Sequence, residues 1–390
     1  MIQAAPLAGY QNRIYLEGLS GRLPVLPLTH EALEQRAERQ LTRGAFGYVA
    51  GGAGAEDTMR ANREAFRRWR ILPRMLRDVS RRDLGTTVLG TAMPAPVMLA
   101  PVGVQSIVHP EAELAVARAA AATGVPMVLS TASSRSLEEV AEAQGDAPRW
   151  FQLYWPRDPD LAASLLGRAE RAGYGAIVVT LDTWMLAWRP RDLELAYLPF
   201  LQGEGIANYL SDPVFRAALP APPEEDMASA VRHFLSIFSD PSVTWAGLSF
   251  LRENTRLPIV LKGILHPDDA RRAVEHGVDG ILVSNHGGRQ VDGSIAALDA
   301  LPGVVDAVPE SLPVLFDSGI RSAADAFVAL ALGARAVLLG RPYVWALAVA
   351  GEEGVAELLR GFLAELDLTF ALTGHTRLDE LGREALVRAR

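Results

Sequence analysis

From Pro96 onward, short and mostly apolar runs alternate with longer segments of helical spacing. The runs occupy residues 97–100, 127–129, 150–154, 176–180, 259–261, 280–283, 314–316 and 336–339. Between them, residues 111–123, 137–143, 161–172, 268–276 and 323–332 repeat apolar positions three and four apart, the period of one helix face. A strand with no polar face must be covered on both sides, as in a parallel sheet flanked by helices. Eight such units predict an α/β fold, a (β/α)8 TIM barrel. The competing fold is an open doubly wound sheet. It is disfavoured because no Gly-x-Gly-x-x-Gly follows the first run.

Outside these repeats the pattern is weaker. Residues 1–28 read as an irregular arm, broken by Gly9, Gly18, Gly21, Pro24 and Pro27. Thr29 is placed to cap a helix running to about Arg43. A glycine-rich stretch around Tyr48 follows, ending at Gly54. One connection is outsized, from about 184 to 257, with Pro199, Pro213, prolines in 220–223 and the acidic run Glu224-Glu225-Asp226. A connection this long is usually functional or disordered. It is expected to form a lid over one barrel mouth after strand four, mobile near 217–230. The whole chain reads as one domain: arm and helices over 1–95, barrel over 96–345, terminal helices over 346–390.

Composition narrows the function. With 390 residues, 49% of them hydrophobic, a sizeable core is affordable in surface terms. The formal charge of −8 argues against a nucleic-acid partner, because neutralising phosphates takes a basic face. There are no cysteines, which excludes disulfides, thiolate nucleophiles and cysteine-ligated metals. No His/Asp/Glu triplet at ligand spacing suggests another metal site. No apolar run reaches the roughly 18 residues of a membrane span. Residues 1–15 lack a basic head followed by an apolar block, so no secretion signal and a cytoplasmic location are expected.

A barrel of this type builds its active site from the C-terminal ends of its strands. Pro101, Val102 and Gly103 follow the first run, and Ser130-Thr131 the second; Gln152 and Tyr154 lie on the third. Thr180 and Asp182 end the fourth, with Arg189 just beyond; Lys262 ends the fifth. Ser284, His286 and Arg289 follow the sixth, Asp317, Gly319 and Arg321 the seventh, Gly340 and Arg341 the eighth. Lys262 and the four arginines gather positive charge round one mouth of an acidic protein, which attracts an anion. Glycines after strands seven and eight suit a phosphate held by backbone N–H groups, with Arg321 and Arg341 in support. Arg189 and Arg289 suit a carboxylate. His286 is a candidate base, with Asp182 a plausible orienting partner. The residues alone therefore indicate a phosphate-bearing cofactor, an anionic substrate and a histidine base. They leave open which cofactor, and also a non-catalytic phosphate-ligand binding barrel.

The stretch Ser284-Asn285-His286-Gly287-Gly288-Arg289-Gln290 resembles the active-site signature of the FMN-dependent α-hydroxy-acid oxidising family. The likeness extends over essentially the whole chain. It is closest to the family's lactate 2-monooxygenase branch, at residues 10–28, 48–54, 180–184, 188–192, 208–209 and 212–215. The resemblance implies an FMN cofactor and an (S)-2-hydroxy acid, L-lactate, oxidised with dioxygen to acetate, carbon dioxide and water. An oxidase that releases keto acid and hydrogen peroxide is the alternative. A homotetramer or homooctamer is also implied.

Carried over residue by residue, the resemblance makes His286 the base and Asp182 its stabiliser. Arg189, Arg289 and Tyr48 would hold the carboxylate, with Tyr154 near the hydroxyl. Lys262 would face flavin N1 and the C2 oxygen, and Pro101–Gly103 would face N5. Thr131, Gln152 and Thr180 would meet the ring edge, and Ser284 would also contact the cofactor. Asp317 would hold the ribityl chain; Gly319, Arg321, Gly340 and Arg341 would hold the phosphate. Two departures stand out. Gly103 replaces a common Ala, which is expected to leave more room beside N5. Ser318 replaces the second residue of a usual Asp-Gly-Gly.

Overall fold

Eight parallel strands close into a barrel in the computed structural model, which describes residues 7–389. The strands are β1 (Val97–Leu99), β2 (Met127–Ser130), β3 (Arg149–Leu153), β4 (Ile177–Thr180), β5 (Ile259–Lys262), β6 (Gly280–Val283), β7 (Val314–Phe316) and β8 (Ala336–Leu339). Each falls on one of the eight apolar runs, within a residue at either end. β8 pairs with β1 through Val337 and Val97, which closes the ring. The fold is the expected (β/α)8 barrel.

Strand alternation sorts the side chains into two cores. Met98, Val128, Trp150, Val178, Val260, Leu282, Leu315 and Leu338 form an apolar cluster of their own inside the barrel. Leu99, Leu129, Phe151, Val179, Leu261, Val283, Phe316 and Leu339 point outward and join the helical layer. A hairpin that the periodicity did not reveal plugs the lower end: Thr86–Val88 pairs with Thr91–Met93. Its turn uses positive φ at Leu89 and Gly90 (48° and 77°), which suits a tight hairpin. Val88 and Met93 enter the interior cluster, and the Trp150 indole Nε1 donates to Thr91 Oγ1 at 2.8 Å.

Several expectations need correction. The arm is not irregular throughout, because Gly9–Gly18 is a helix whose glycines stand at its ends rather than inside it. Tyr48 lies on a helix, Arg43–Ala50, whose start is fixed by the Thr42 hydroxyl accepting from Ala45 N. The glycines that free the backbone come after it. At the C-terminus the long helix Arg341–Leu372 starts directly after β8 and breaks at Ala350 and Gly351. The last element is not a helix: Leu386–Arg388 pairs antiparallel with Trp69–Ile71, joining the two ends of the chain.

The connection after β4 is folded. It carries helices Pro190–Glu194, Ala207–Leu210, Pro213–Ala217, Met227–Ile237 and Leu248–Asn254. Pro190 and Pro213 stand in first turns, where a missing N–H costs nothing. Asn208 fastens this segment to the β2 end: its amide donates to Thr131 O (3.1 Å) and Ser133 Oγ (2.9 Å) and accepts from Leu137 N (2.8 Å). Asp212 pairs with Arg168 at 3.0 Å, both buried. Within 217–230 the chain makes a hydrogen-bonded turn, Glu225 N to Pro222 O, and Asp226 caps the next helix.

Trp150 joins the interior cluster to the plug, so Trp150→Ala should cost about 3–5 kcal/mol of stability, the usual range for emptying a large aromatic site. Denaturant unfolding checks this, and a loss below about 1 kcal/mol would show that the hairpin does not depend on the indole.

Candidate active site

One step above the apolar interior, strand alternation places Ser130, Gln152, Thr180, Lys262, Ser284 and Asp317 at the upper rim. All six are buried. Lys262 Nζ donates to Ser284 Oγ at 3.1 Å and lies 3.7 Å from Asp182 and 3.8 Å from Asp317.

His286 sits where β6 turns outward. Its backbone is left-handed (φ 57°), a strained conformation for a non-glycine residue. Ser284 Oγ accepts from its amide N–H at 3.0 Å. Its ring Nδ1 is 2.8 Å from Asp182 Oδ1. A carboxylate there fixes the Nδ1–H tautomer and leaves Nε2 unprotonated. Burial holds the imidazole below its ordinary value of 6.5; Asp182 pulls it back up, and Lys262 pushes it down again. Burial would raise the Asp182 carboxyl, but Lys262 and His286 outweigh it and keep that group well below the usual carboxylate range. The pair is thus a neutral imidazole on an ionised carboxylate.

Ser318 shows why the usual glycine is dispensable. Its φ of 82° is costly for a serine, but its hydroxyl donates to Asp317 Oδ1 (2.6 Å) and accepts from Asn285 N (3.2 Å) and Gly287 N (3.0 Å). These bonds tie the end of β7 to the His286 turn.

The arginines are brought together by a helix end. Helix Arg43–Ala50 leaves carbonyls unpaired at its C-terminus, the end that favours cations. Arg289 Nη1 donates to Tyr48 O (2.6 Å) and Gly51 O (2.7 Å), and its guanidinium lies 5.2 Å from the Tyr48 ring centre. Arg341 donates to Val49 O (2.9 Å), Gly51 O (2.9 Å) and Gly287 O (3.1 Å). Arg189 bonds Arg289 O and Gln290 Oε1. Among the described residues, none of Arg189, Arg289, Arg321 and Arg341 has a carboxylate partner; nearby Asp325 and Glu56 pair instead with Arg63 and Arg191. Burial, then the charge of Arg189, lowers Arg289 to about 10. Burial and Arg63 lower Arg321 to about 10. Arg341 is lowered too, by burial and then by Arg289 and Arg321. Crowded like charges out of water demand an anion.

A cleft opens over this rim. Tyr48, Pro101, Val102, Gly103, Tyr154, Arg189, Lys262, His286, Arg289, Asp317, Gly319, Arg321, Gly340 and Arg341 line it. Asp182, Gln152, Thr180, Ser284 and Thr131 do not. Asp182 stands behind His286, and Ser284 behind Lys262. Thr131 is misplaced by one residue. Its hydroxyl donates to Gln152 O (2.5 Å) and accepts from Tyr154 N (3.0 Å), while Ser130 faces the cleft. The period-two count from Val128 points to Ser130. Phe200, Phe238 and Leu186 of the lid also reach the cleft, and no signal in the strand pattern marks them. At Gly103, which lines the cleft, a methyl would lie 2.5 Å from Ala132 O, so the glycine permits a close backbone approach there. Among the described residues no helix is long and apolar enough to cross a membrane, and no cluster of His, Asp and Glu could hold a metal ion.

Fold and site together define a (β/α)8 barrel with a neutral histidine on an ionised carboxylate and arginines that have no carboxylate partners among the described residues. A family model for FMN-dependent dehydrogenases matches residues 37–388. An FMN-dependent α-hydroxy acid dehydrogenase, qulF, of Penicillium citrinum is 45% identical, over 97% of this chain and 95% of its own. An L-lactate oxidase of Lysinibacillus sphaericus is 44% identical, over 96% of each. The crystal structure of a mandelate oxidase superposes with a TM-score of 0.82 at 40% identity, over 93% of this chain and 98% of that one. The chain belongs to the FMN-dependent dehydrogenase family and is an FMN-dependent α-hydroxy-acid oxidoreductase. The residues suit that cofactor: four arginines lack carboxylates, and the buried Gln152 Nε2 donor has no partner.

Anions should therefore stabilise the FMN-free protein. At a sulfate concentration about 100 times its Kd the gain is about 2.7 kcal/mol. Thermal unfolding with and without sulfate measures it; Arg321→Gln should shrink the gain, and an equal gain in that variant would remove Arg321 from the anion site.

Proposed function

We propose that the protein oxidises L-lactate with dioxygen and holds the keto acid under the lid until it is decarboxylated. The observation that carries the reading is the unprotonated His286 Nε2 placed beside arginines that lack carboxylates. Arg189 and Arg289 bind the substrate carboxylate, and Arg289 has Nε and Nη2 free of hydrogen bonds among the described residues. Tyr48 borders the same place, and Tyr154 meets the hydroxyl. His286 Nε2 takes the proton that leaves the substrate, and Asp182 stabilises the imidazolium that results. FMN, when bound, supplies a two-electron acceptor that dioxygen reoxidises. Its phosphate suits Gly319, Arg321, Gly340 and Arg341, and its ring suits Pro101, Val102, Gly103, Ser130, Gln152 and Lys262. Lys262 offers positive charge where reduction places negative charge. Asp317 suits the ribityl chain.

Product fate decides between two outcomes. Retained pyruvate reacts with hydrogen peroxide to give acetate, carbon dioxide and water; released pyruvate leaves the peroxide as product. Retention is supported by the folded lid and its Phe200 and Phe238 at the cleft. Release is the second reading, favoured by relatives named L-lactate oxidase. A homotetramer or homooctamer is proposed from the same resemblance. The deciding experiment is aerobic turnover with acetate, pyruvate and peroxide counted per lactate. Near-equimolar acetate is the expected result, whereas equimolar pyruvate and peroxide would establish an oxidase.

His286→Ala should keep FMN bound and abolish its anaerobic reduction by lactate. In the unchanged enzyme, the base is active when neutral, and its folded value lies below 6.5. The reduction rate should therefore hold down to pH 6.5 and fall about tenfold per unit below its midpoint. A limb centred above 6.5 would contradict the assignment.

A further inference from the structure

We propose that Phe238, supplied by the lid, sets the size of the substrate side chain that the site accepts. The inference rests on the reading of the site as a 2-hydroxy-acid site. With the carboxylate held by arginines and the α-carbon beside His286, the third substituent must face the remaining wall. That wall is apolar, made of Leu186, Phe200, Phe238 and the Tyr154 ring. Its members differ in rigidity. Leu186 is 56% exposed and free to swing aside. Phe238 is wedged: its ring centre lies 5.1 Å from Tyr154, 4.8 Å from Phe234 and 5.6 Å from Phe200. Behind it, Phe234, Tyr209 and Phe215 are fully buried and pack edge to face, with ring centres 4.8 Å and 5.7 Å apart. A ring backed in this way cannot retreat, so a bulky substituent has to displace the lid.

The same packing makes Phe238 separable from the chemistry. It carries no polar group, is half-buried and lines the cleft. Removing the ring leaves an apolar void of about its own size next to Tyr154. That space is continuous with the cleft and has the size and apolar lining to take up an aromatic ring. Substrate choice then follows from differential fit at one position, since His286, Asp182 and both carboxylate-facing arginines are untouched.

The test compares kcat/KM for (S)-mandelate and L-lactate in the FMN-loaded enzyme and in Phe238→Ala, Phe238→Leu and Phe234→Ala. A second readout needs no turnover: phenylacetate and acetate, which lack the hydroxyl, are titrated against the flavin absorbance. Phe238→Ala should raise the mandelate-to-lactate ratio by about 100-fold and tighten phenylacetate relative to acetate by about tenfold. Phe238→Leu, which keeps most of the packing, should move both ratios the same way by less and serves if the alanine variant does not fold. Phe234→Ala removes part of the backing that holds Phe238 in place and should move both ratios the same way, by less than Phe238→Ala. Unmoved ratios in both Phe238 variants, or a larger shift in Phe234→Ala than in Phe238→Ala, overturn the proposal. Failure of the unchanged enzyme to oxidise either acid would overturn the reading of the function, while the phenylacetate-to-acetate ratio would still judge Phe238.

Discussion

Positive charge that nothing in the chain neutralises is the constraint around which the upper mouth is arranged. Desolvating a guanidinium costs several kcal/mol, and placing a second and third beside it costs more. The chain meets part of that cost with the carbonyls at the end of helix Arg43–Ala50, which accept from Arg289 and Arg341. Of the nearby carboxylates, Asp325 and Glu56 are committed to Arg63 and Arg191, while Glu34 and Asp192 only soften the field without pairing with these arginines. The remainder is left for ligands, which makes binding of an anion and ordering of the mouth the same event.

Against that field, the His286–Asp182 pair is set by opposing effects. Lys262 lies 3.7 Å from Asp182 and keeps it ionised, and the same lysine helps keep His286 neutral. A histidine on an ionised carboxylate alone would be drawn toward protonation. The cation behind the carboxylate offsets this, so a base of ordinary chemistry remains available next to arginines. Strain supports the arrangement: the left-handed residues His286 and Ser318 are linked through Ser318 Oγ to Gly287, so the His286 turn and the β7 end hold each other.

The lid completes the enclosure by a different means. Its fixed half is fastened to the β2 end by Asn208 and to the helical layer by Asp212, while its aromatic cluster presents Phe238 to the cleft. The stretch from Met185 to Trp188 is largely exposed and carries no comparable anchor, apart from Met185 O accepting from Gln290 and Trp188 O accepting from Gly54 N. Rigid wall and looser rim therefore coexist within one connection.

Periodicity and strand-end chemistry determined the barrel, its eight strands and the residues that meet at one mouth. Fully buried strands leave an unmistakable apolar run, and this fold places chemistry at their ends. The signature around His286 added FMN and the hydroxy acid by resemblance. Sequence alone did not show the plugging hairpin or the strand pair between Trp69–Ile71 and the C-terminal residues, because these short strands are only partly buried and leave no continuous apolar run. It misjudged Thr131 for Ser130, since which residue faces inward depends on where the strand stops. The close approach of Ala132 to Gly103, 29 positions away in the chain, was not legible either. The lid aromatics, the helix end that receives two arginines and the lysine behind Asp182 are contacts between residues distant in sequence. Only the packed chain decides them, because they depend on distance and burial, which residue order does not record.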